Sequence, residues 1–224
     1  HDKVLTFEPM YDSFYTVIQD NDRQLVAHRL ISKDGTFEID FDLFEKQVQE
    51  CQLLLLCSPH NPTGRIWTKE EMDQIVKIIS DEIHMDIQLR DRKHIPLLSY
   101  IHEYDELYTA ASSSKTFNTP GLIGSYLMIP NEEVREKFLM HTRRKDFLNS
   151  VSIFGMYATM IGYTQCDDYI DQLNDYIKEN MKIVEEFIKE ELPDFKFKTP
   201  DGTYLAWIDA RDVPYTAEEI QDAL

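Results

Sequence analysis

The sequence predicts an α/β fold built on a mostly parallel sheet. Three observations carry this. Apolar runs of strand length alternate along the chain with stretches of helical periodicity, the pattern of a sheet with helices packed on it. The run Leu53-Leu54-Leu55-Leu56-Cys57 is apolar without alternation, as expected of a strand buried on both faces. Polar motifs stand directly after predicted strands, where open α/β sheets place their ligands.

The elements follow in order. Val4 to Phe7 reads as a buried strand leaving the sheet at Glu8-Pro9. Tyr11 to Ile18 fits a helical turn, and Leu25 to Ile31 alternates like a strand before the Asp34-Gly35 turn signal. Asp40 is placed to cap a helix over Phe41 to Gln49, with Phe41, Phe44 and Val48 on its apolar face. After the Leu53–Cys57 strand, Thr68 and Glu71 form a capping-box pattern. Met72, Ile75, Val76 and Ile79 would mark that helix's buried side.

Helix and motif then collide. Ser80-Asp81-Glu82 follows Ile79 at once, leaving no turn and no strand residues that the helix has not used. On ordinary loop and strand lengths, ~10 residues are expected to be absent there. The reading therefore predicts a backbone break between Ile79 and Ser80. Further on, Leu107 to Ala111 and Ser125 to Ile129 read as strands, and Glu132 to Arg144 as a charged helix. Ser150 to Gln165 is mostly apolar and helical. Asp167 to Leu192 is a long amphipathic helix with Ile170, Leu173, Ile177, Met181, Val184 and Ile188 at helical spacing. Phe195 to Lys198 and Tyr204 to Ile208 suggest a hairpin around Asp201-Gly202, and Ala217 to Leu224 begins a further helix.

Charge bounds the partners. The formal net charge of −18 opposes nucleic acid and anionic membrane surfaces, both of which select an excess of Lys and Arg. Cys51, Cys57 and Cys166 are odd in number and lack CxxC spacing, which suits unpaired thiols in a reducing, cytoplasmic setting. No apolar run approaches the ~18 residues of a membrane span.

Three motifs carry chemistry. Ser58-Pro59-His60-Asn61-Pro62-Thr63-Gly64-Arg65 follows a buried strand with an unusual backbone, so that Asn61 either presents an amide to a ligand or sits in a plain proline-rich turn. In Ser80-Asp81-Glu82-Ile83-His84, an acid at a strand end suits a cationic ring nitrogen, and His84 suits a phenolate-like oxygen. Asp81, Glu82, His84 and Asp86 alternatively offer mixed ligands for a divalent metal, although strand alternation separates Asp81 from His84. The remaining choice is a polar loop. In Ser112-Ser113-Ser114-Lys115-Thr116-Phe117-Asn118, Lys115 is either a solvated side chain or an amine poised to form an imine with an aldehyde, with serines nearby for a phosphate.

Taken together and in this order, the motifs resemble the pyridoxal-phosphate (PLP) enzymes of fold type I, the class I/II aminotransferase family, and within it the MalY/PatB-type cystathionine β-lyase branch. The carrying stretches are Leu54 to Trp67, Ser80 to His84, Lys93-His94-Ile95-Pro96, Ser114 to Asn118 and Asp201 to Asp209. The resemblance implies an aspartate-aminotransferase-like large domain over 1–150, lacking its N-terminal part. It implies an interdomain helix and an incomplete α+β small domain over 151–224. It makes Lys115 the Schiff-base lysine, Asp81 the partner of the pyridine nitrogen, Asn61 and His84 partners of the 3-oxygen, and Ser112 a phosphate ligand, with no metal. His84 stands where many aminotransferases have tyrosine, which favours the lyase branch. The family's glycine-rich phosphate loop and ring-stacking aromatic would precede Asp2-Lys3-Val4-Leu5, and its substrate-carboxylate arginine would follow the last residue. Only seven glycines occur here.

The implied activity is cleavage of an amino-acid thioether to a thiol, pyruvate and ammonia by a homodimer. Lys115 serves as tether and base, and Asp81 keeps the ring an electron sink. The alternatives are an aminotransferase using the same residues, and a PLP-binding regulator without turnover.

Overall fold

The structure is a computed structural model and describes residues 2–74, 78–102, 106–146, 148 and 151–223. Its strands are β1 (Lys3–Glu8), β2 (Gln24–Arg29), β3 (Ile31–Lys33), β4 (Thr36–Glu38), β5 (Leu53–Cys57), β6 (Ile78–Asp81), β7 (Leu107–Ala111) and β8 (Tyr126–Met128). The helices are α1 (Asp12–Asp20), α2 (Phe41–Glu50), α3 (Lys69–Met72), α4 (Glu132–Met140), α5 (Ile153–Gln165), α6 (Asp167–Glu191) and α7 (Ala217–Asp222). Six strands form one sheet in the order β2-β1-β5-β6-β7-β8, parallel except for the antiparallel β7–β8 edge. The α/β, mostly parallel expectation therefore holds.

Burial on both faces explains the central strands. Val4, Leu5, Thr6 and Phe7 of β1 are all buried, as are Leu54, Leu56 and Cys57 of β5. Leu5, Phe7, Phe44, Leu54, Leu56, Trp67, Ile78 and Leu107 join one core, so that α2 is held to the sheet through Phe44. Asp40 caps α2 by accepting from the Leu43 N–H at 3.1 Å, as its position before an apolar face predicts. The chain turns at Asp34-Gly35, both with positive φ, to close the β3–β4 hairpin. A second cluster of Ile87, Leu89, Ile177 and Met181 docks α6 against the loop after β6. No helix among the described residues is long and apolar enough to cross a membrane.

Four expectations are corrected. No break separates Ile79 from Ser80. Both lie in β6, pairing with Leu55 and Leu56 on one side and with Tyr108 and Thr109 on the other. Two parallel ladders reward an extended chain here more than helix propensity does. The helix begins with the predicted capping box but ends at Met72; Ile75 and Val76 lie outside the described residues. The hairpin around Asp201-Gly202 reduces to one antiparallel bridge, Lys196 with Asp209. The turn itself is committed elsewhere: Gly202 donates to the Gly64 carbonyl at 2.7 Å, and Thr203 donates to Ile87 at 3.1 Å. The charged helix expected to Arg144 is α-helical only to Met140 and finishes in a π turn over His141–Lys145.

Candidate active site

The carboxyl ends of β5, β6 and β7 are stitched together beyond the strands themselves. Ser58 donates its N–H to the Asp81 carbonyl at 3.0 Å, and Glu82 donates to Ala110 at 2.8 Å. Each strand leads directly into one motif. β5 runs into Ser58–Arg65, β6 ends on Asp81, and β7 runs into the turn of residues 113–118 that carries Lys115. Parallel pairing thus turns three separate segments into one constellation at one edge of the sheet.

Asp81 and His84 both respond to the Lys115 ammonium. Burial raises the Asp81 carboxyl above its ordinary range; the Ile83 N–H pulls it back, the neighbouring Glu82 charge adds to the rise, and Lys115 lowers it. Its Oδ1 accepts the Ile83 N–H at 3.1 Å. Burial, helped by Lys115, lowers His84 from 6.5 to about 4, so its imidazole is neutral at physiological pH. The His84 Nδ1 is buried with no hydrogen-bond partner among the described residues, and the ring meets Tyr204 edge-on at 5.4 Å. A desolvated carboxylate and an orphaned buried imidazole nitrogen suit a bound ring with one cationic nitrogen and one oxygen. Asn61 lies half-buried in the β5 turn. The Ser112 hydroxyl faces the Gly124 carbonyl at 2.5 Å and Ser114 Oγ at 2.9 Å, and it accepts the Ser114 N–H at 3.1 Å.

The acids offered as metal ligands part company. Glu82, fully buried, accepts the Leu97 N–H at 2.8 Å and lies 3.3 Å from His94 Nε2; His94 Nδ1 in turn meets Ser58 Oγ at 3.3 Å. Asp86 turns to Thr116 and Tyr163. Among the described residues, no group of three or more His, Cys, Asp or Glu could hold a metal ion. Sequence reasoning did not place Tyr204, the Glu82–His94–Ser58 chain or the Asp86 contacts at the site. For Glu82 and Asp86 no local signal in the sequence announced these partners, which come from distant segments.

Gly64 is what lets the Asp201–Tyr204 segment reach this edge. Its φ is +66°, and a Cβ there would stand 2.4 Å from Pro200 Cβ and 2.5 Å from the Gly202 carbonyl. Gly64→Ala is therefore expected to cost more than the ~1–2 kcal/mol of a left-handed residue alone, measured by urea denaturation. A loss well below that would show that the contact relaxes freely.

Two buried histidines set an acid limb on stability. His60 is lowered to about 3 by burial and then by Arg65; its Nδ1 meets Thr63 Oγ1 at 2.7 Å. Both folded values, about 3 and about 4, lie below the ordinary 6.5. Unfolded chains therefore bind protons that the folded protein refuses. Stability is fully present above pH ~6.5 and declines as pH falls toward the folded values. Denaturation of the cofactor-free protein across this range should show a shallower acid slope for His60→Gln and for His84→Phe. Slopes equal to wild type would contradict the burial argument.

Comparison with known proteins agrees with the geometry. The aminotransferase class I and II family model matches residues 1–224. Cystathionine beta-lyase PatB of Bacillus subtilis (strain 168) is 34% identical over 100% of this chain, which covers 60% of that relative. Protein MalY of Escherichia coli (strain K12) is 33% identical over 99% of the chain and 59% of its own length. The crystal structure of cystalysin from Treponema denticola, described as containing a pyridoxal 5'-phosphate cofactor, matches with a TM-score of 0.91 at 32% identity, covering 99% of this chain and 59% of that one. The chain thus spans about 60% of the length of the curated relatives it matches. With the match running over every residue, and with the strand-end motifs brought to one edge of a mostly parallel sheet, the chain belongs to the aminotransferase class I and II family.

Proposed function

We propose that the protein carrying this chain is a PLP-dependent carbon–sulfur β-lyase that cleaves amino-acid thioethers to a thiol, pyruvate and ammonia. The observation that carries the reading is the convergence of Lys115 with a desolvated Asp81 and a neutral, orphaned His84 at the strand ends. The similarity to proteins named cystathionine beta-lyase supports the lyase in particular. Bound here, PLP supplies an aldehyde for covalent attachment and a ring that withdraws electrons from the substrate Cα.

The chain's own residues do the rest. Lys115 would hold the cofactor through its amine, and the free amine would serve as the base for the substrate Cα proton. Asp81 would hold a proton on the ring nitrogen, and a cationic nitrogen there would offset the burial that raises its carboxyl. Neutral His84 and the Asn61 amide would bind the ring oxygen, and Ser112 would take the phosphate.

The test is product analysis of the intact protein with cystathionine. Pyruvate, ammonia and homocysteine released without any keto-acid acceptor support the lyase. Turnover that requires an acceptor assigns an aminotransferase, and PLP binding without turnover assigns a regulator. A homodimer is expected, and a light-scattering mass equal to one fully active subunit would contradict it.

A further inference from the structure

Asp86 lies on the loop leaving β6, five residues beyond Asp81, and nothing in the proposed chemistry uses it. Its Oδ2 accepts two hydrogen bonds, from Thr116 Oγ1 at 2.7 Å and from Tyr163 Oη at 2.8 Å. Thr116 follows Lys115 directly and is 0% exposed. Tyr163 comes from α5, and its ring packs edge-on against Phe117, the next residue of the same turn, at 5.3 Å. Burial, then Asp86 itself, holds the Tyr163 phenol far above its ordinary range, so it remains an O–H donor.

The other end of Asp86 is fixed as well. Asn174 of α6 donates from Nδ2 to the Asp86 carbonyl at 2.9 Å, while its Oδ1 accepts the Gln88 N–H at 3.1 Å. The lysine turn is pinned from α5 at a second point, where Ser113 Oγ meets Thr159 Oγ1 at 2.7 Å. Helix and turn also approach closely: a Cβ on Gly162 would stand 2.5 Å from the Phe117 ring. One carboxylate therefore joins the β6 loop, the lysine turn and α5. Lys115 sits on a turn rather than in a strand, and turns hold side chains less rigidly than strands do.

We infer that Asp86 is a positioning residue for Lys115. By clamping Thr116 and Tyr163 together, its carboxylate fixes the turn so that the lysine amine is delivered to the ends of β6 and β7. The inference rests on reading Lys115 as the cofactor-bearing lysine. Its consequence is specific: loosening the clamp displaces the lysine turn, while Asp81 and Asn61, which lie at the ends of other strands, stay in place. A displacement of about 1 Å at such a group costs on the order of 10²-fold in rate.

The experiment uses the intact, PLP-loaded protein. Borohydride reduction followed by peptide mapping first locates the cofactor-bearing residue in wild type. Wild type, Asp86→Ala and Asp86→Asn are then compared by kcat and KM and by pH titration of the visible cofactor band. The expected result has Asp86→Ala lowering kcat by ~10²-fold with KM changed far less, and displacing the midpoint of the band titration. Asp86→Asn, which keeps an acceptor oxygen in place, should recover most of both. Should Asp86→Ala not fold, Thr116→Val and Tyr163→Phe each remove one donor and should displace the band midpoint in the same direction. Wild-type kcat and an unmoved midpoint in the folded variants overturn the inference while leaving the proposed function standing. Labelling of wild type anywhere but Lys115 overturns both.

Discussion

Lys115→Ala in the intact protein is expected to abolish the borohydride-reducible, visible-absorbing bond to PLP and to lower turnover by several orders of magnitude. One side chain holds two coupled roles. It tethers the cofactor, and it moves the Cα proton. Loss of positioned acid–base catalysis alone is worth on the order of 10²–10⁴-fold, and loss of the tether adds to that. The turn of residues 113–118 holds no other lysine, and the neighbours of Lys115 there are serines, a threonine and Phe117. Retention of the visible band with near-normal β-elimination would require another lysine and would sink the site assignment.

Asp81→Asn is expected to have the next largest effect. An amide cannot hold a pyridinium proton as a carboxylate does, so cofactor affinity and rate should both fall. The rate loss is expected on the order of 10²–10³-fold, as for removal of one preorganised electrostatic contact. His84→Phe should act more mildly, giving the order Lys115 > Asp81 > His84. Stability supplies an independent check with the opposite sign. Burial raises the Asp81 carboxyl in the cofactor-free protein. Its contribution to stability is therefore fullest at low pH, where the group is protonated, and is lost as pH rises through the folded value. Asp81→Asn removes this burden, so the cofactor-free variant should be more stable than wild type at pH 7 and bind PLP more weakly. A variant that is destabilised at pH 7 yet binds PLP normally would show that Asp81 is a structural acid.

Much of this was legible because period and punctuation are local properties. The Leu53–Cys57 run can be read as a buried strand without knowing its neighbours, and Asp40 and Thr68 announce helix starts through caps that act within three residues. Ile79 was not legible in this way. It continues a helical apolar pattern, and only the ladders to β5 and β7 make the extended conformation the better one. Asp201-Gly202 is a sound turn signal whose hairpin is pre-empted by long-range docking on Gly64 and Ile87.

The site divides along the same line. By itself the sequence determined which groups are available: a lysine among hydroxyls, an acid and a histidine three residues apart, an asparagine between two prolines. Those identities carry the chemistry, because amine, carboxylate, imidazole and amide have fixed donor, acceptor and charge behaviour. Tertiary structure alone decided which partners each acid meets. Asp81, Glu82 and Asp86 are equivalent as letters. Folding leaves Asp81 beside Lys115, turns Glu82 to His94 and Leu97, and turns Asp86 to Thr116 and Tyr163. The reason is that the partners of these carboxylates come from segments up to 77 residues away, and a carboxylate's role is set by what desolvates it and what answers its charge.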